Sequence, residues 1–124
     1  PPHHLWLTGY ERSNLGPELA KQGARLVAEP HPEQSFFTRS DNIGFAYRGV
    51  IAHTVSSYNL HKEYHTPADD LAHIDFAHMT DAVRSMLEPV LWLANSKFKP
   101  DWLPGKKPVA PTGRGGRGGG LGGE

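Results

Sequence analysis

The chain has 124 residues, 37% of them hydrophobic, with 13 basic and 13 acidic side chains balancing to a formal charge of zero. It contains no cysteine, which excludes disulfides and thiolate metal sites. No stretch approaches the roughly 20 apolar residues of a membrane-spanning helix. The charge is uneven: Lys106, Lys107, Arg114 and Arg117 oppose only Glu124 in residues 104–124, so a basic tail follows a mildly acidic body. Such a body gives no electrostatic footprint for nucleic acid.

The chain opens Pro1-Pro2-His3-His4, without Met or leader, and then enters an apolar run at once. A piece of a longer protein is the expectation. Leu5-Trp6-Leu7-Thr8, stopped by Gly9, predicts a strand. Ser13 can start a short helix with Pro17 and Glu18 in its first turn, and Gly23 ends it. Arg25–Ala28 reads as a second strand, and Pro30 and Pro32 then impose a loop. Phe36 and Phe37 supply core aromatics. Ser40-Asp41 is placed to cap a helix over Asn42–Arg48, with Gly49 closing it.

Val50-Ile51-Ala52-His53-Thr54-Val55 lacks alternation, which predicts a strand buried on both faces, with His53 a packed, hydrogen-bonded core histidine. Residues 56–70 are polar with Pro67 among them and predict a long loop. Asp75 caps the longest predicted helix, Phe76 to about Ser96. Phe76, Met79, Val83, Met86, Leu87, Val90 and Ala94 recur at three- and four-residue steps along one apolar face. Pro89 should kink or split this helix. From Pro104 onward nothing is periodic, and nine Gly and three Pro in 21 residues predict a disordered tail. The organisation is thus a body over 1–103 and a tail over 104–124. The alternation of strands and helices predicts α/β architecture, and three strands make a small sheet that suggests a missing part.

Chemistry concentrates in His61-Lys62-Glu63-Tyr64-His65-Thr66-Pro67-Ala68-Asp69-Asp70. His61 and His65 share the spacing of the H-E-x-x-H metalloproteases, but Glu63 stands one position late and Pro67 denies the pair a helix. A loop ligand suits His65 better. It follows the best strand, Pro67 fixes its surroundings, and Asp69 can reach the ring nitrogen that a metal would leave free. A surface loop histidine remains the alternative. His3, His4, His31, His73 and His78 show no partner pattern and read as surface groups.

Arg39-Ser40-Asp41-Asn42, Phe45-Ala46, Gly49-Val50, Tyr64-His65-Thr66-Pro67-x-Asp69 and Ile74-Asp75, in this order and spacing, resemble the C-terminal half of M28 peptidases. The family runs R-S-D-H-x-x-F-x-x-x-G-[IV]-P-A and then Y-H-x-P-x-D-T. Asn42, Ile51 and Asp70 stand where it commonly has His, Pro and Thr. The resemblance covers about residues 5–96. It implies a partial three-layer α/β/α sandwich of the zinc-exopeptidase type. It also implies a zinc-dependent aminopeptidase acting on peptides through two zinc ions, and secreted or periplasmic placement. By the resemblance His65 is a zinc ligand. Asp69, Asp41 and Tyr64 then support it from behind or line the substrate pocket. The other ligands, a bridging Asp and a general-base Glu fall earlier in the family than this chain reaches, so these residues alone are expected to be inert. Two further readings stay open: a non-catalytic M28-like binding or scaffold domain, and a glutaminyl-cyclase-like acyltransferase. Arg114 and Arg117 in their Gly-rich setting resemble an RGG segment, yet two arginines are too few for RNA affinity at ordinary salt.

Overall fold

The computed structural model describes residues 4–57 and 61–112. Three strands, β1 (Leu5–Leu7), β2 (Leu26–Ala28) and β3 (Val55–Ser56), form a mixed sheet in the order β2-β1-β3. β1 and β2 run parallel, with Leu5 opposite Leu26 and Leu7 opposite Ala28, and helix α1 (Leu15–Lys21) makes the crossover. β3 runs antiparallel to β1, with Leu7 opposite Val55. Helices α2 (Asn42–Tyr47) and α3 (Phe76–Asn95) complete this small α/β unit.

The two faces of β1 are both covered. Leu5 and Leu7 point into a core with Leu19, Ala24 and Leu26, against which Ala82, Met86, Trp92 and Leu93 of α3 pack. Trp6 points the other way, onto the rings of His31 (5.9 Å) and Phe36 (5.5 Å). This alternation is the period-2 geometry of a strand, here apolar on both sides because both sides are filled. β1 stops at Gly9, whose φ of 65° is left-handed and where an added Cβ would stand 2.5 Å from the Phe37 ring. Only glycine meets both demands.

Asp75 caps α3 as expected, its Oδ1 accepting from the His78 amide at 2.9 Å. The helix carries Pro89 without an assigned break, and Pro89 is buried. Arg25 donates to Asp81 Oδ2 at 2.7 Å and ties α3 to the chain entering β2. After α3 the chain returns across the molecule. Ser13 and Trp102 form an isolated bridge, Asn14 and Asp101 exchange hydrogen bonds of 2.8 and 3.1 Å, and the Trp102 indole donates to Gly49 carbonyl. Residues 104–106 form a turn closed by the Lys106 amide on Leu103 carbonyl, and Pro108 is buried. The glycine-rich residues 113–124 lie outside the described part.

Two expectations require correction. Residues 50–55 do not form a long strand buried on both faces. Only Val55–Ser56 is strand, and Val50 is 53% exposed. β1 is too short to offer a ladder beyond Thr8, so one backbone bond and two side-chain bonds hold the segment instead. The Thr8 amide donates to Thr54 carbonyl, Thr8 Oγ1 accepts from the Thr54 amide, and Asn42 holds Ala52 carbonyl. The apolar stripe expected along α3 is present, but only Met86 of it reaches the core, whereas Met79, Val83, Leu87 and Val90 are exposed, Leu87 to 61%. The sheet is narrower than the stripe, so the helix overhangs it. The second correction is the cap of α2: neither Ser40 nor Asp41 provides a side-chain cap, and the backbone of Asp41 is already helical.

Candidate functional site

The loop between β3 and α3 is built by short local hydrogen bonds. Thr66 closes a turn onto Glu63 carbonyl through both its amide (2.9 Å) and its hydroxyl (2.6 Å), and the Asp69 amide donates to Thr66 carbonyl at 3.1 Å. Between these, two residues before Pro67, His65 is held at φ 60°. A left-handed non-glycine residue carries backbone strain of roughly 1–2 kcal/mol, which the surrounding turn must hold in place. The imidazole of His65 is exposed and lies against the Tyr64 ring, 4.0 Å between centroids. Tyr64 is half-buried and closes a cavity of about 140 Å³ together with Trp6, Phe36, Arg39, Ser40 and Thr54. Tyr64 thus joins the histidine loop to the Arg39-Ser40 segment, as a pocket-wall residue would.

Asp69 meets a different histidine from the one expected: its Oδ1 lies 3.0 Å from Nε2 of His61. His73 has a carboxylate neighbourhood that sequence reasoning missed, with Asp70 Oδ1 at 3.0 Å and Glu63 at 4.0 Å. His61, Glu63, Asp69 and His73 line a cleft of about 530 Å³ with Asp75 and His78. The signal was present as alternating acids and histidines from His61 to His78, scattered at spacings that match no motif. Asp41 is exposed at the start of α2, with no cap bond to hold it.

Asn42 and His53 are structural. Asn42 Nδ2 donates to the carbonyls of Phe37 (3.1 Å) and Ala52 (3.3 Å), and its Oδ1 accepts from Thr54 Oγ1 (3.0 Å). His53 Nδ1 must donate, since its partner 2.7 Å away is Thr8 carbonyl. Nε2 is therefore the acceptor of the Ser13 hydroxyl at 2.8 Å. Burial outweighs the backbone hydrogen bond and lowers the His53 pKa from its ordinary 6.5. The neutral ring is the form this network requires.

The loop geometry alone is compatible with several chemistries. The comparison with known families decides the class: the model of peptidase family M28 matches residues 7–90, roughly two-thirds of the chain. This chain belongs to peptidase family M28. Neither curated proteins nor solved structures give a match. The M28 match runs from β1 into α3 and so includes Arg39-Ser40-Asp41 and Tyr64-His65-Thr66-Pro67. It identifies a peptidase-family chain, for which the substrate class is peptide. No described helix is long and apolar enough to cross a membrane.

Zinc places a stricter demand on this M28 chain. A tight site needs three or four protein ligands. Among the described residues no group of three His, Asp or Glu side chains stands close enough to hold a metal. The residues present therefore do not fit a complete zinc centre. His65 could serve as one ligand of a centre whose other members come from elsewhere.

Proposed function

We propose that this chain forms part of a zinc-dependent aminopeptidase of the M28 family, in which His65 is one ligand and Tyr64 a wall of the substrate pocket. The observation carrying the reading is the left-handed His65 in the matched Tyr-His-Thr-Pro segment. A loop histidine whose role were only solubility would relax to an ordinary backbone conformation. Strain that persists at an exposed ring next to a cavity supports a functional role. The coverage of both faces of β1 is consistent with a partial α/β/α sandwich. On this reading the remaining ligands and the general base are supplied by polypeptide outside these 124 residues.

The test begins with the chain by itself. Titrated with zinc and assayed on aminoacyl-p-nitroanilides, it should bind the metal weakly and turn nothing over. Coding DNA upstream of Pro1 should carry the missing acidic and histidine ligands, and the joined polypeptide should show aminopeptidase activity lost in His65→Ala. Turnover by the 124 residues alone, abolished by His65→Ala, would show that the site is complete here. An upstream frame without metal ligands would favour the second reading, a non-catalytic M28-like scaffold. That alternative draws support from Asp69, which is engaged with His61.

A further inference from the structure

The segment returning from α3 is tied to the body around one point. The Leu103 amide donates to Arg12 carbonyl at 2.8 Å, Asn14 and Asp101 exchange two bonds, and the Arg12 guanidinium donates to Lys106 carbonyl at 3.2 Å. Between Arg12 and Asn14 stands Ser13, which bridges to Trp102 and has no exposed surface. Against it lies His53, its ring 5.7 Å from that of Trp102 and 5.6 Å from that of Phe37. Phe37 is buried in the body, whereas Trp102 is carried by the returning segment, so Trp102 is the ring that can leave.

The bonds at this point suit a neutral imidazole. Nδ1 donates to Thr8 carbonyl, so Nε2 keeps a lone pair for the Ser13 hydroxyl. A proton on Nε2 turns that nitrogen into a second donor. The Ser13 oxygen already receives the Leu15 amide at 3.3 Å, and its own proton then loses its acceptor. A buried hydroxyl without an acceptor, beside a buried charge, costs free energy that opening to water removes. Among the described residues, the charged groups that bear on the ring are Glu11, which favours the proton, and Arg12, which opposes it. Arg12 lies over the Phe37 ring at 4.8 Å and is itself an anchor of the segment. A charge on His53 therefore works against the residues that hold the segment down. We propose that residues 101–106 form a proton-controlled strap, closed over the Ser13–His53 pair while His53 is neutral and released when it is protonated. Burial lowers the His53 pKa in the closed state, so the strap holds above pH 6.5 and loosens as pH falls below that value. One proton is linked to opening, so the ratio of open to closed strap rises by up to about tenfold per pH unit in this window.

Fluorine-19 spectra of the full chain labelled with 5-fluorotryptophan test this. Trp6, Trp92 and Trp102 are its three tryptophans, and Trp102→Phe assigns the last. From about pH 8 to about pH 5, the histidine range, the Trp102 resonance should move toward its solvent-exposed position. Trp6, Trp92 and the far-UV circular dichroism should hold still. His53→Gln should remove the Trp102 transition. Asn14→Ala gives a second handle: the Asn14 side chain caps nothing in α1 and accepts from the Asp101 amide, so its loss should loosen the strap and move the transition to higher pH. A Trp102 resonance that ignores pH overturns the proposal. So does one that moves only together with Trp6 and the circular dichroism, one that still titrates in His53→Gln, or a midpoint unmoved by Asn14→Ala. These outcomes are independent of the zinc reading, because they involve neither His65 nor turnover.

Discussion

Replacing Asn42 with Ala should cost the fold about 3 kcal/mol. Three hydrogen bonds converge on this buried side chain, two donated to Phe37 and Ala52 carbonyls and one accepted from Thr54. Each is worth roughly 1 kcal/mol net, and two carbonyls in part-buried surroundings lose a partner. A described body of this size has a stability on the order of 5–15 kcal/mol, so the loss is a large share of the total. The clasp also replaces strand pairing for residues 50–54, so its loss should free that segment as well as weaken the whole. Urea titration at neutral pH, followed by circular dichroism, gives the cost. Hydrogen exchange at residues 52–54 should rise in the same variant. Asn42→Asp is the sharper test: it keeps an acceptor for Thr54 but turns a donor into an acceptor facing two carbonyls, and it should be at least as damaging as Ala. If Asn42→Asp is as stable as the parent, or Asn42→Ala costs under about 0.5 kcal/mol, the clasp does not carry this load.

Stability should also depend on pH through His53. Its folded pKa lies below the ordinary 6.5, so the unfolded chain takes up the proton first. The contribution is whole above pH 6.5 and is lost as pH falls through that value toward the folded pKa, visible as a falling urea midpoint that His53→Gln flattens. Gly9→Ala should cost about 2 kcal/mol or more in the same titration, because it combines a left-handed φ of 65° with a Cβ that collides with Phe37. At position 65, Gly should be more stable than Ala by about 1 kcal/mol, since only Gly relieves the left-handed strain at φ 60°. Equal stabilities of the two variants would mean that the loop relaxes freely.

Much of the framework was legible because local signals and tertiary context agree. Leu5–Leu7 is apolar at every position and ends at a glycine, and it became the central strand. Asp75 before a three-four periodic run gave the α3 start to the residue. His53, inside a mostly β-branched run, turned out packed and bonded at both nitrogens. The failures arise where partners, not propensity, decide. Val50–Val55 is as good a strand sequence as β1, but extended backbone needs a neighbour, and β1 ends too soon to provide one. The stripe of α3 was legible as apolar, but periodicity reports which residues share a face and not what covers it. Around the loop, Asp69 could reach either of two histidines four residues apart; the turn at Thr66 selects His61.

The return of the chain from α3 to Ser13 has a consequence for the order of assembly. β1, α1 and β2 lie within the first 28 residues and can meet as soon as they are made. The Asn14–Asp101 clasp joins positions 87 apart in the chain, so it cannot close until residue 101 has been made. During synthesis the loop after β1 must therefore stand open, with Gly49 carbonyl without its indole donor until Trp102 arrives. A nascent chain halted between β2 and that tryptophan would hold the β1-α1-β2 motif folded and the Trp102 latch unset, a state that proteases can distinguish from the latched one.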